Sequence, residues 1–138
     1  LTGIKSKVEV FMDERLVPHI YAENDADAYY AQGYLHAKYR LWQMEFQTHV
    51  AAGRLSEIVG PDRIDTDKYF RTMGMVYAAE KPMREASKNK EIKTAMEAYA
   101  NGVNDYIQSL APHEIPFEYK LLDYQPEEWT PFKTYLFL

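Results

Sequence analysis

The stretch Asn24-Asp25-Ala26-Asp27-Ala28-Tyr29-Tyr30-Ala31-Gln32-Gly33-Tyr34-Leu35-His36-Ala37-Lys38-Tyr39-Arg40-Leu41-Trp42-Gln43-Met44-Glu45-Phe46 decides the fold class. Ala28, Ala31, Leu35, Trp42 and Phe46 recur at helical spacing and give the run one apolar stripe. Asn24 suits the N-cap, where its side chain accepts from an orphan backbone N–H, and Asp27 adds negative charge near the positive end of the helix dipole. The pattern predicts one long helix from Asp25 to Ala52. Gly53 follows it, a residue that takes the left-handed closing conformation without steric cost.

Toward the N-terminus, Val8-Glu9-Val10-Phe11-Met12 alternates in part with period two, and His19-Ile20-Tyr21 follows Asp13-Glu14-Arg15 and Pro18, so a β-hairpin is expected. Beyond Gly53, Leu55-Ser56-Glu57-Ile58-Val59 reads as a short helical turn stopped by Gly60-Pro61. Thr66 to about Met83 reads as one further helix, with Tyr69, Phe70, Met73, Val76 and Tyr77 on its apolar side and Pro82 at its frayed end. Ser87 is expected to cap the next helix, whose stripe is Ile92, Ala95, Met96, Tyr99, Val103, Tyr106, Ile107 and Leu110. Gly102 beside that stripe marks a close approach of another backbone, at a cost of about 1 kcal/mol against alanine. A loop-rich connection runs through Pro112, Pro116 and Pro126. Thr130 and Pro131 then open a last helix, Phe132 to Leu138, as N-cap and first-turn proline. That helix is apolar to its last residue. The expectation is therefore that the chain is the front part of a larger polypeptide, and that alone it self-associates through this bare surface.

The 138 residues are 46% hydrophobic and 27% charged, with net charge −5, which fits one globular unit and excludes a disordered one. A chain this long buries roughly 70% of its unfolded surface without staples. With no cysteine, disulfides, thiolate zinc sites, iron–sulfur clusters and cysteine nucleophiles are excluded together. Sixteen basic against 21 acidic residues give no face suited to a phosphate backbone, so nucleic acid is not an expected partner. No apolar run approaches the ~20 residues of a membrane span, and the first residues lack the layout of a signal peptide.

The residues of chemical interest mostly have plain readings. His36 and His49 are 13 residues apart on the first helix, too far to clamp one ion from a shared turn. His19 is expected to be half-buried with a backbone hydrogen bond, and His113 has only Glu114 beside it. Asp62, Asp65 and Asp67 lack the spacing, glycine and distal glutamate of a calcium loop and read as a solvated acidic turn capping the next helix. Ser6, Ser56, Ser87 and Ser109 include none in a nucleophile elbow. Thr2 would become an N-terminal nucleophile if Leu1 were removed, although most terminal threonines are simply chain ends. Lys38, Arg40 and Glu45 read as a solvated face, with Arg40 alternatively drawn inward toward a carboxylate.

Read in order, Val8-Glu9-Val10, Asp13-Glu14, Val17-Pro18-His19-Ile20-Tyr21-Ala22, Asp27, Tyr30-Ala31-Gln32-Gly33-Tyr34-Leu35-His36-Ala37, Arg40-Leu41-Trp42-Gln43-Met44-Glu45 and Gly53-Arg54-Leu55-Ser56-Glu57-Ile58-Val59-Gly60 form one pattern. It continues through Arg71, Gly74, Ala98-Tyr99-Ala100-Asn101-Gly102-Val103-Asn104, Leu121-Leu122 and Pro126-Glu127-Glu128-Trp129-Thr130-Pro131. In order and spacing it closely resembles the opening of the α-chain of penicillin acylases, over nearly all 138 residues. The resemblance departs at Leu16 and Asp123, where the family usually has glycine, and at Tyr39, where it usually has aspartate. A turn of different geometry is expected before Val17, because leucine resists positive φ, and the ion partner of Arg40 is expected to be missing or supplied from elsewhere.

The resemblance implies a mainly α multi-helix bundle with one N-terminal β-hairpin, residues 1–138 being the front of the α-chain of an αββα N-terminal-nucleophile hydrolase. It implies an amidohydrolase that cleaves the linear amide of N-acyl small molecules, such as penicillin or cephalosporin side chains or acyl-homoserine lactones. The nucleophile would be the N-terminal serine of a separate β-chain cut from the same precursor, with its own α-amine as base. It further implies a periplasmic or secreted protein, no catalytic residue and no cofactor in this segment, and calcium as a possibility elsewhere in the full enzyme. Asp13, His19, Arg40, Gln43, Glu45 and Trp129 are assigned structural roles, tying the hairpin to the first helix and closing the bundle. The competing reading is a non-catalytic helical binding module with an acylase-like sequence.

Overall fold

A computed structural model of the chain describes residues 3–137; Thr2 and Leu138, and the expectations attached to them, lie outside the described residues. The elements are β1 (Val8–Met12), β2 (Pro18–Ala22), α1 (Asp25–Ala52), α2 (Ser56–Val59), α3 (Ile64–Met73), α4 (Met75–Ala86), α5 (Lys90–Ser109), α6 (Phe117–Leu121) and α7 (Pro131–Phe137), with a 3-10 turn at Pro61–Arg63 before α3. β1 and β2 pair antiparallel, from Val8 opposite Ala22 to Met12 opposite Pro18. The chain is thus mainly helical with one hairpin, as expected.

α1 begins and ends where its sequence predicts. The Asn24 side chain accepts from the Asp27 N–H, and Gly53 closes the helix at φ 63°, its own N–H returning to His49 and Val50. One feature of α1 has no signal in the periodicity: Arg40 leaves helical geometry at φ −143°, ψ 18°, and kinks the helix.

α5 crosses α1 with the two backbones almost touching. A Cβ on Gly33 would lie 2.1 Å from the Tyr99 carbonyl oxygen, and a Cβ on Gly102 would lie 2.0 Å from that of Tyr30. Each glycine therefore receives a carbonyl from the opposite helix, three residues ahead of that helix's own glycine, and the helices run antiparallel. Around this crossing Ala31, Ala37, Leu41, Met44, Ala100 and Val103 are buried, and Tyr119 and Trp129 complete the core from the C-terminal third. The close approach expected at Gly102 is present, with Gly33 as its counterpart.

Several expectations need correction. The single helix predicted over Thr66–Met83 is two helices broken at Gly74, which takes φ 72° and caps α3. Pro82 does not end α4, which continues to Ala86. Tyr69, Met73, Val76 and Tyr77 are exposed, and Ala79 is the buried residue of α4; apolar periodicity alone did not say that these short helices lie at the rim. Ser87 does not cap α5. Its hydroxyl donates back to the Arg84 carbonyl, and Asn89 Oδ1 accepts from the N–H groups of Glu91 and Ile92 instead. Asp67 is buried and accepts from the backbone N–H of Leu55 and Ser56 and from the Ser56 hydroxyl, at 2.7, 2.9 and 2.5 Å, so it fastens the start of α2 rather than forming a solvated turn. α6 lies within a stretch expected to be loop. Finally, α7 is not bare: Leu136 is buried, Phe132 and Tyr135 are half-buried, and the helix packs on α4, α1 and α5, leaving Phe137 exposed. Large exposed apolar side chains lie instead on the hairpin and its turn, on α3–α4, and on α6, where Phe117 and Leu121 face solvent.

The two departures from glycine show how the backbone holds its course. Leu16 adopts φ 61° and Asp123 φ 50°, both left-handed. The turn before Val17 was expected to change shape with leucine. It keeps positive φ because Asp13 holds it from both sides: Oδ1 accepts from Arg15 and Val17 N–H at 2.9 and 2.8 Å, while the Asp13 and Val17 main chains pair at 3.1 Å. Asp123 fills the left-handed position after α6, where the Tyr124 N–H returns to the Tyr119 carbonyl at 3.0 Å.

Two outcomes follow for denaturant unfolding. Leu16→Gly removes the left-handed penalty and raises stability by about 1 kcal/mol. Gly33→Ala and Gly102→Ala each gain helix propensity yet lower stability by about 2–3 kcal/mol, because the carbonyl opposite has no room to yield.

Candidate functional site

The densest polar chemistry sits where α1, α6, the connection 122–130 and α7 converge. Glu45 and His49 are four residues apart on α1 and both almost fully buried. Glu45 was expected on a solvated face; instead its Oε2 accepts from the Tyr119 hydroxyl at 2.5 Å and its Oε1 from the Glu127 N–H at 2.8 Å. A carboxylate without water must find such partners. His49 Nδ1 faces the Glu45 carbonyl at 3.0 Å. A carbonyl only accepts, so Nδ1 carries the hydrogen and Nε2 receives the Tyr124 hydroxyl at 3.1 Å.

Glu127 gathers the cations. Arg54 reaches it with both terminal nitrogens, at 2.7 and 3.3 Å, and also grips Glu57. The Lys133 ammonium lies 2.9 Å from Glu127 Oε2, 3.8 Å from Glu45 Oε1 and 5.9 Å from the centre of the Trp129 ring, an ion pair whose angles are not those of a hydrogen bond. Burial alone would push the Glu127 carboxyl up; the Arg54 hydrogen bonds and the Lys133 charge outweigh it and hold the group well below the ordinary carboxylate range. Burial next to Glu45 pushes the Tyr119 phenol far up, and burial with the same carboxylate does so for Tyr124. All these phenols stay protonated and donate.

This arrangement is a latch. Trp129, in the same stretch of chain, is buried and held by both ends of the Asn104 side-chain amide, N–H to Oδ1 at 2.7 Å and Nδ2 to its carbonyl at 2.9 Å, while its indole N–H reaches Thr134 at 3.0 Å. Glu45, His49 and Glu127 place possible ligand atoms within 4.8 Å of one another. They do not fit calcium or another divalent ion: Glu127 already answers two fixed cations, and the His49 lone pair is taken by Tyr124. Nor does any described serine or threonine meet a histidine. Ser56 donates to Asp67, and Thr48 to the Glu45 carbonyl.

The six residues singled out from sequence are thus scattered. Glu45 and Trp129 meet at the latch. Asp13 and His19 sit at the hairpin's own turn, 3.4 Å apart, and His19 is more exposed than expected, facing a carboxylate rather than the backbone. Arg40 is exposed and donates to the Tyr39 carbonyl at 3.3 Å, so it is not drawn inward to a carboxylate. Gln43 is exposed. The hairpin segment is tied to α1 by Asp27, which accepts from the N–H groups of Lys5 and Ser6 at 2.9 and 2.8 Å and from the Asn24 side chain. Sequence reasoning weighed His49 only as a metal ligand and named Glu127 only within the family pattern, and it missed Tyr119 and Lys133. The four-residue spacing of Glu45 and His49 was the one signal available, since the others lie 70 or more residues away along the chain.

The latch predicts opposite outcomes for neighbouring substitutions. Glu45→Gln lowers unfolding free energy by about 2–4 kcal/mol, whereas Gln43→Ala changes it by less than about 0.5 kcal/mol. The acid limb is also fixed in sign. Because the folded-state pKa of Glu127 is depressed, its stabilisation is complete above the unfolded value of about 4.3 and is lost as pH falls below it. Acid unfolding of Glu127→Gln, followed by circular dichroism, shows a shallower dependence on pH in that range.

Comparison with known proteins is consistent across sequence and structure. A family model described as Penicillin amidase matches residues 7–138. The chain is 37% identical over 131 residues to the Penicillin acylase 2 proenzyme of Pseudomonas sp. (strain SE83), covering 95% of this chain and 16% of that protein. It is 34% identical to the Acyl-homoserine lactone acylase QuiP of Pseudomonas aeruginosa, covering 95% and 15% respectively. The solved structure of the thermostable penicillin G acylase from Alcaligenes faecalis superposes with a TM-score of 0.83 at 29% identity, over 94% of this chain and 69% of that one. The chain spans about one sixth of the length of the curated relatives it matches. A match over nearly the whole sequence, with the hairpin, the helix crossing and the latch all inside it, means that the chain belongs to the penicillin amidase family.

Proposed function

We propose that the chain is the front segment of the α-chain of an amidohydrolase that cleaves the linear amide of N-acyl small molecules, either penicillin or cephalosporin side chains or acyl-homoserine lactones. The single observation that carries this reading is the family match over residues 7–138, with relatives named as acylases of both substrate types. No described serine or threonine meets a histidine, and the Ser56 hydroxyl is spent on the buried Asp67 that fastens α2, so the attacking group is assigned to another part of the protein. That group is the N-terminal serine of a β-chain released from the same precursor, a reading supported by the word proenzyme in one relative's name.

In that scheme the serine hydroxyl attacks the amide carbon while its own α-amine takes the proton. The C–N bond then breaks and the proton passes to the departing amine, leaving an acyl ester. Water, deprotonated by the same α-amine, attacks that ester and releases the carboxylic acid as the serine oxygen takes the proton back. This segment is a frame. Its part is to hold α1, α5 and α7 rigid beneath the partner surface, because a displacement of about 1 Å in a supporting element costs roughly 100-fold in rate. Any calcium is assigned to residues outside this chain, since the latch does not fit it. The protein is assigned to the periplasm or to secretion; no helix of the described residues is long and apolar enough to cross a membrane.

The test is to express the complete reading frame, determine the N-termini of the products by mass spectrometry, and assay a panel of N-acyl substrates. The expected result is two chains, the second starting with serine, and amide hydrolysis that is lost together with cleavage when that serine becomes alanine. One uncut, inactive product would overturn the reading in favour of a helical binding module.

A further inference from the structure

Four asparagines stand in the sequence, and Asn101 alone precedes a glycine. It also differs in what its side-chain amide does. Asn24 caps α1, Asn89 caps α5 and Asn104 holds Trp129, whereas the Asn101 side chain is exposed and makes no hydrogen bond among the described residues. Its neighbour Gly102 is buried at the crossing with α1, where a Cβ would lie 2.0 Å from the Tyr30 carbonyl oxygen and 3.0 Å from the Tyr34 nitrogen.

An asparagine followed by glycine is open to attack by its own chain, because the next amide nitrogen can reach the side-chain carbonyl carbon and glycine has no Cβ to obstruct the ring that forms. Ring closure needs an asparagine ψ far from the helical value of about −42° and an N–H released from its acceptor. α5 denies both. Residues 101 and 102 lie well inside Lys90–Ser109, so Asn101 is held in helical geometry and the Gly102 N–H is engaged by the carbonyl four residues earlier. Nor can this one turn loosen by itself, since any shift of Gly102 toward α1 drives it against the Tyr30 main chain. The reactive geometry therefore requires the crossing to come apart, and with it the core of the bundle.

We propose that Asn101–Gly102 is a latent self-modification site, kept unreactive by the α1–α5 crossing and released when the crossing opens, and that its main product makes the opening irreversible. The Gly102 nitrogen bonds to Asn101 Cγ, the Cγ–Nδ2 bond breaks, and the proton lost by the nitrogen leaves with ammonia, so a cyclic imide remains. Water then opens the ring. Cleavage of the new N–Cγ bond gives aspartate, and cleavage of the original peptide bond gives isoaspartate, in which the main chain runs through the former side chain and is one carbon longer. Aspartate at an exposed helix position leaves the backbone as it was. Isoaspartate puts an extra carbon where Gly102 already has no room, and the crossing does not re-form. The site rests on α5 and its packing alone, whether or not the protein hydrolyses amides.

The test holds the full-length protein at mildly alkaline pH, folded in one arm and in urea in the other, and follows the peptide containing Asn101 by mass spectrometry, with fragmentation to tell isoaspartate from aspartate. In urea Asn101 is expected to convert at least about 100-fold faster than in the folded protein, with isoaspartate the larger product. Gly33→Ala weakens the crossing without touching the Asn101 side chain and raises conversion in the folded arm by about tenfold or more; Glu45→Gln, at the latch, does the same and serves if Gly33→Ala fails to fold. On mild heating, isoaspartate at position 101 is found in the fraction that has unfolded, whereas Asn101→Asp folds and melts within about 3 °C of the parent. Equal conversion in the two arms, an intact Asn101 in urea, folded-arm conversion that Glu45→Gln leaves unchanged, or isoaspartate at 101 in the soluble folded fraction each overturns the proposal. Absence of amide hydrolysis in the same preparation counts against the proposed function and leaves this site standing.

Discussion

The bundle depends on one close contact, the antiparallel crossing of α1 and α5 at Gly33 and Gly102. Two backbone carbonyls occupy the space where side chains would begin, so the helices approach more closely than any pair of larger residues would allow. That approach fixes which faces remain for everything else. The small residues Ala31, Ala37 and Ala100 line the seam, Leu41, Met44 and Val103 fill the core beside it, and the C-terminal third folds over the far end of α1.

There the apolar core gives way to charge. Glu45 and His49 on α1 are buried and take partners from segments more than 70 residues away. The cost of burying Glu45 is offset only when Tyr119, the Glu127 main chain and Lys133 are all in place, which couples the loop 122–130 and α7 to the long helix. Trp129 is held in the same closure by Asn104. Such coupling makes local opening costly: freeing the connection would leave a buried carboxylate without its donors, and so it is opposed by the whole network.

Strain is spent at few places. Leu16 and Asp123 stand in left-handed conformations, each held by hydrogen bonds from nearby main chain or from Asp13, and Arg40 breaks the helical path of α1. The first two are turns whose shape is imposed by the elements on either side. The third is a kink within α1 at an exposed residue.

How much of this was legible beforehand differs by element. Asn24, Gly53, Thr130 and Pro131 gave the ends of α1 and the start of α7, because caps act on backbone groups within a few residues and leave a local signature. The period-two run gave the hairpin, and the repeated blocks of residues gave the family. The break at Gly74, the exposure of Tyr69 and Tyr77, and the cap at Asn89 in place of Ser87 were not readable, since each depends on which side of a short helix faces the core. Glu45 marks the boundary. Its identity and its distance from His49 are in the sequence, but whether a carboxylate is solvated or buried is decided by Tyr119, Glu127 and Lys133, which only the folded chain brings to it.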